Sequence, residues 1–369
     1  MMKLLSTVRW FSLLLIALLW CACSDLPDDV DVILEKNRYA RQFDEIWQAL
    51  NSEYILFDET NVDFAELRIA YIKKMSKVYK DKQFVRVLQD FCEELGEQDI
   101  RFQLGSNHSF YAARPAATND IIAKKSGLSH YSRYYRSQQE EYVINGPCSF
   151  NTLVRIDGTS SGKFYGMMLI NEYFQECPIS LDASLQTFAQ SGLCGIVLDI
   201  RGQSFFSFIQ DLLPYFYEQG KHTVCKNAQR LIPNNRYSFT PYINYNIKGN
   251  GILSRLPIAI IVNEATGGEL SWLAHILSER SNVAIISRAY GGRGSLRKWQ
   301  YYNDNKDMVT YPGIRSTTKH SVCYEPLQPD FLVNWEGNGQ YGNESDEDMC
   351  LITALDFIDM YNANTYRPQ

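Results

Sequence analysis

The sequence predicts an α/β protein in which a small helical unit precedes a domain built on a mainly parallel sheet. Three observations carry that expectation. Residues 41–96 follow helical periodicity, with apolar side chains recurring on one face. From Phe164 onward, short apolar strands alternate with helical segments, the pattern of a buried parallel sheet. Three of those strands run into turns, at residues 199–202, 263–268 and 288–294, and in such sheets ligands bind at the carboxyl ends of strands.

Taken in order, the chain opens with a targeting segment. Lys3 and Arg9 give a basic start, and "WFSLLLIALLW" (10–20) is an apolar run too short to span a bilayer but suited to a signal-peptide core. "CACSD" follows. Cys23, with the small Ala22 before it, fits a lipidation position better than Cys21, which follows Trp20. Residues 1–22 are therefore expected to be a lipoprotein signal, with a cleaved signal lacking lipid as the alternative. Residues 23–38, beginning "CSDLPDDVD", read as an acidic, solvated tether.

A helical cap is expected over 39–103. Phe43, Ile46, Trp47 and Leu50 share one helix face. Phe64, Leu67, Tyr71 and Met75 share a second, with Asn61 or Asp63 as N-cap. Phe84, Val87, Leu88, Phe91 and Leu95 mark a third, from near Asp81 to Gly96. Residues 104–163 are rich in Tyr, Ser, Arg and Gln and read as loop with short strands. The α/β domain spans 164–365. Its strands are "FYGMMLINEYF", "LCGIVLDIRG", "LPIAIIVNE" and "NVAIISRA"; its helices are "LDASLQTFAQSG", "FFSFIQDLLPYFYEQG", with Pro214 as a kink, and "GELSWLAHILSERS". "NNRYSFTPYINYNIKGNG" (234–251) reads as a solvated loop or, alternatively, an aromatic binding platform.

Composition excludes some functions. Signal cleavage removes Lys3 and Arg9 and leaves 34 basic against 42 acidic residues, which argues against a nucleic-acid partner. The nine cysteines show no CxxC and no His-paired spacing, so no metal site is expected. Cys92 and Cys194 lie in apolar runs and are expected as buried thiols.

Six motifs, in order, resemble the tail-specific, or C-terminal processing, protease family. The helical segment resembles that family's cap. "GIVLDIRG" resembles its "IDLRGN" strand, and "IIVNEATGGE" the strand and turn that carry its nucleophile. "AIISRAYGGRG" is similar to "GexTxGKG", "CYEPLQPDFLVN" to "gvxPDixV", and "DEDMCLITALDFI" to the closing helix. The acidic run after Cys23 resembles the export signals of surface lipoproteins in Bacteroidota. The resemblance implies a ββα superhelix related to crotonase, with no PDZ domain in the short stretch before Gly162. It implies no cofactor, a polypeptide substrate or peptide ligand, and a membrane contact through the lipid anchor.

Carried over position by position, the resemblance puts Thr266 in the place of the nucleophilic serine, three residues before Glu269. A rival register lands on Gly268. Thr266 would sit at a helix N-terminus, with Gly267 and Gly268 leaving N–H groups open to an oxyanion. The family's base positions hold Arg293, in "GGRG", and Arg101, in "EQDIRFQL" with Asp99 retained. Arginine does not release its proton, so both routes to an activated hydroxyl are closed. Gly202 and Asp199 fall in the substrate-binding "RGNGGG" region, where this chain has Gln203, Ser204, Phe205 and Phe206. A plain structural role competes with each assignment: a capping box for Thr266 and Glu269, and ion pairs to Asp199 or Asp99 for the arginines.

The expected function is therefore an exported lipoprotein that keeps the protease cleft for binding peptides and has lost most or all of the chemistry. In that reading Arg293 and Arg101 would bind a carboxylate. The alternatives are an active peptidase with Thr266 as nucleophile and Glu269, Asp99 or His108 as base, and an adhesive or glycan-binding surface module.

Overall fold

The computed structural model describes residues 28–57, 62–96, 99–105, 108–111, 135–143, 148–155, 162–170, 185–186, 188–190, 192–201, 209–231, 237–333 and 349–365. The signal segment, Cys21, Cys23, Gly202 and residues 203–206 lie outside them, and so does the side chain of His108. No helix among the described residues is long and apolar enough to cross a membrane.

Among the described residues the cap has the three expected helices, α2 Arg38–Glu53, α3 Phe64–Met75 and α4 Asp81–Leu95, and a further helix, α1 Asp28–Lys36, precedes them. The expected tether is thus helical from Asp28. Val30 is fully buried and Ile33 and Leu34 pack beside it, so this acidic segment has an apolar face to dock. Asp63 caps α3 by accepting from the N–H groups of Ala65 and Glu66 at 2.9 and 3.0 Å. α4 ends at Gly96, as the sequence predicts. Phe43, Tyr71 and Phe91 meet at ring distances of 5.2–5.8 Å in the middle of the cap.

Two sheets follow. The larger has the order β13-β10-β9-β6-β5-β4-β3. Its strands are β3 Tyr135–Val143, β4 Cys148–Arg155, β5 Lys163–Ile170, β6 Gly195–Asp199, β9 Ile258–Ile261, β10 Val283–Ser287 and β13 Phe331–Leu332. From β5 to β13 every pairing is parallel, and β3 and β4 extend the sheet antiparallel. The stretch expected as loop with short strands therefore contributes two full strands. The parallel strands are apolar on both faces because both are covered. One face packs on α5 Ile209–Phe216 and α6 Gly268–Ser278. The other packs on α7 Met349–Asn362, which Tyr165 and Lys163 fasten through Asp359 at 2.8 and 2.9 Å.

The second sheet is antiparallel and was not expected. β1 Arg101–Leu104, β2 His108–Tyr111, β7 Gly220–Ala228, β8 Ile243–Gly249 and β12 Asp307–Thr317 form the order β2-β1-β12-β7-β8, with β11 Leu296–Tyr302 also on β12. β8 takes up seven residues of the run expected as a solvated loop, pairing with β7 from Ile243 to Gly249. Tyr237, Tyr242 and Ile243 remain exposed there. Val309 and Tyr311 of β12 and Tyr302 of β11 belong to the cap's core, whereas Leu296 belongs to the α/β core.

Candidate functional site

β9 ends at Ile261, and the chain turns through 262–267 into α6. Asn263 organises that turn. Its Oδ1 accepts from the N–H of Ala265 at 3.1 Å and lies 3.1 Å from Thr266 Oγ1, the local bonding that makes asparagine a turn residue. Thr266 is fully buried. Its hydroxyl accepts from Asn263 N–H at 3.0 Å and lies 3.0 Å from the Ile200 carbonyl, to which it can donate. Neither acceptor within its reach, an amide oxygen and a carbonyl, can take a proton from a nucleophile. The capping box does not form: the N-cap of α6 is Gly267, with no side-chain cap bond.

The "GGRG" loop closes over this turn. Gly292 N–H donates to Thr266 O at 2.8 Å, Gly268 N–H to Arg293 O at 2.9 Å, and Ser295 N–H to Gly268 O at 3.1 Å. The Gly268 amide expected to face an oxyanion is thus directed at a neighbouring carbonyl. Gly268 has φ +56°, and a Cβ there would come 2.7 Å from Arg297 Nη2; one on Gly267 would come 3.0 Å from Asp99 Oδ1.

Those two contacts identify what occupies the helix N-terminus. Asp99 arrives from the cap just before β1, and Arg297 from β11; they pair at 3.6 Å with both side chains nearly buried. Glu269, in the first turn of α6, completes the cluster. Burial pushes its carboxyl up to about 7 against the attraction of Arg297, and Asp99 adds repulsion. Asp99 is also raised by burial, opposed by Arg297 and the Gly268 N–H. A helix N-terminus favours an anion, and here the chain supplies its own carboxylate. Nothing in "SLRKWQYY" separates Arg297 from Lys298 beside it, so sequence reasoning missed it; only the fold brings it to Asp99.

The other candidates are dispersed. Asp199 is 1% exposed and held by its near neighbour Arg201, with Nη2–Oδ2 at 2.7 Å and Nε within 3.2 Å of both carboxylate oxygens. Arg101 is buried inside the antiparallel sheet, opposite Thr310 and Tyr111, rather than on an open cleft. Arg293 is half-buried, with its backbone bridged to Pro326. His275, nine residues beyond Thr266, is buried and bonds to Ser321 and the Glu325 carbonyl instead. Cys92 is buried, while Cys194 is only half-buried.

No family model and no curated protein matches the chain. Solved structures do. A "putative peptidase" of Parabacteroides merdae ATCC 43184 matches with a TM-score of 0.58 at 12% identity, over 87% of this chain and 97% of that one. Mature CPAF matches with a TM-score of 0.51 at 10% identity, covering 81% and 93% of the two chains. Mature CPAF complexed with lactacystin gives 0.52 at 9% identity, over 90% and 98%. At such identities the likeness is one of fold, and together with the ordered motifs it gives the conclusion that this chain has the fold of the tail-specific proteases.

Proposed function

We propose that the protein is an exported, lipid-anchored member of the tail-specific protease group that binds polypeptides without cutting them. The observation that carries this reading is the state of Thr266: fully buried, with its hydroxyl directed at Asn263 and the Ile200 carbonyl. A nucleophile must reach both a substrate carbonyl and a base, and this hydroxyl faces neither. The Asp99–Arg297–Glu269 cluster supports the same reading, because the chain's own carboxyl groups already fill the place where an oxyanion would develop. Lipidation at Cys23 would hold the protein at the outer membrane, facing the periplasm or the exterior. Arg293 is the residue proposed to meet a peptide carboxylate; Arg101 is set aside because it lies within the sheet.

The test uses the mature chain and an unfolded polypeptide. Binding without cleavage is expected. The double variant Thr266→Ser, Arg293→Lys should recover no cleavage, since Gly268 N–H and Asp99 stay as they are. A peptide with a free carboxyl terminus should bind about tenfold tighter than its amide, the worth of one charge-assisted contact, and Arg293→Ala should erase the difference. Cleavage that stops in Thr266→Ala would overturn the reading.

A further inference from the structure

A second hydroxyl in the molecule is better placed for chemistry than Thr266. His275 lies near the C-terminal end of α6 and is 4% exposed. Its Nε2 is 3.2 Å from the Glu325 carbonyl oxygen. A carbonyl only accepts, so Nε2 carries the proton and Nδ1 presents its lone pair. Ser321 Oγ lies 2.5 Å from that Nδ1 and donates to it. A serine hydroxyl directed at a histidine, whose other nitrogen is fixed by an acceptor, is the arrangement of an activated nucleophile; here a backbone carbonyl stands where a triad has a carboxylate.

The turn that carries Ser321 is fixed to the same helix. Ser321 N–H donates to Thr318 Oγ1 at 2.8 Å, and Thr318 N–H donates to Ser321 O at 2.8 Å. The Thr318 hydroxyl donates to Glu279, the C-cap residue of α6, and His320 N–H reaches the same carboxylate oxygen at 2.9 Å. His275 and Ser321 both line a cavity of about 390 Å³. Ile285, Val322 and Leu327 give it an apolar wall, and His320, 69% exposed, stands at its rim.

We propose that His275 and Ser321 form an esterase site for small uncharged carboxylic esters. Ser321 Oγ bonds to the acyl carbon while its proton passes to His275 Nδ1. The bond from that carbon to the leaving oxygen breaks, and the departing alkoxide takes the proton and leaves as the alcohol. Water then gives a proton to Nδ1 and attacks the acyl carbon; the acid departs and the proton returns to Ser321. The cavity is near the small end of ligand sites, which limits the acyl group to a few carbons. Glu279 and Asp330 in its lining disfavour anionic esters. Burial lowers His275 to about 4, so the imidazole is neutral at pH 7 but a weak base, which restricts the reaction to good leaving groups such as phenols. The charged and titratable groups around it are Glu279, His320, Glu325 and Asp330.

The experiment uses p-nitrophenyl acetate and a fluorophosphonate label on the mature chain. The wild type should hydrolyse the ester and carry the label on Ser321, located by peptide mass. Ser321→Ala should lose kcat/KM by about a hundredfold or more, with an unchanged thermal melt. Hydrolysis at an unaltered rate in Ser321→Ala, or a wild-type chain that takes no label at Ser321, overturns the assignment. The label is read on the wild-type chain, so the outcome does not depend on the variant's folding.

Discussion

At Glu269 a single side chain carries a pH dependence that can be worked out. Its folded carboxyl titrates at about 7 against an ordinary 4.5, chiefly through burial. Between those values the folded state holds more protons than the unfolded one, so stability falls as pH rises. The contribution is complete below 4.5 and is lost through pH 7. Asp99 is shifted in the same direction, chiefly by burial. His275 runs the opposite way: its lowered value makes the folded state lose stability as pH falls from 6.5 toward 4. A comparison of Glu269→Gln with the wild type removes the His275 contribution. Chemical denaturation at pH 5 and pH 8 should show the wild type losing up to roughly 3 kcal/mol more than the variant over that interval. Equal losses would place the Glu269 carboxyl in water rather than beside Arg297.

At the scale of elements, α6 organises both sites. Its N-terminus meets Asp99 and Arg297, and its far end presents His275 to Ser321. Gly268 is the tightest point, because a Cβ there would meet both an unfavourable φ and the Arg297 guanidinium. Gly268→Ala should therefore destabilise the chain by about 2 kcal/mol or more, read as a fall in denaturation midpoint, and should do so less in a background where Arg297 is shortened to alanine.

Elements whose signal is local were legible in the sequence. The α3 cap, narrowed to Asn61 or Asp63, the end of α4 at Gly96 and the buried strands β6, β9 and β10 follow from neighbouring residues alone. α1 carried a readable signal in Val30, Ile33 and Leu34, hidden by the acidic composition around it. β8 was obscured because Tyr and Asn in "YINYNIKG" suit a loop as well as an edge strand. At the turn, the sequence identified Thr266 and Glu269 as neighbours of interest. Asp99, named from the sequence as an alternative base for Thr266, reaches Gly267 from the cap through the way β1 enters the antiparallel sheet, which no local signal fixes.

For the whole molecule, the decisive feature is the way the cap is joined to the rest. Glu53 at the end of α2 accepts from Lys298 Nζ at 3.0 Å and from Tyr311 hydroxyl at 2.7 Å. The Ile55 carbonyl accepts from Arg315 at 2.7 and 3.1 Å, and Ile55 N–H donates to Pro312 O at 3.2 Å. The stretch after α2 is therefore bonded along β12. Calorimetry should record one unfolding peak with matching calorimetric and van't Hoff enthalpies; two resolved peaks would mean that cap and domain melt independently.

β12 places its side chains in the cap's core and runs on to pair with β7, and its hairpin partner β11 reaches the α/β core. That shared hairpin makes the cap unsuitable as a transferable module. Grafted elsewhere, the helices would leave behind the strands that finish their interior; deleted, they would uncover Val309 and Tyr311 as a sticky apolar strip. Any change in what this protein recognises must then come from substitution at the rims, because whole-segment exchange would dismantle the interior of both halves at once.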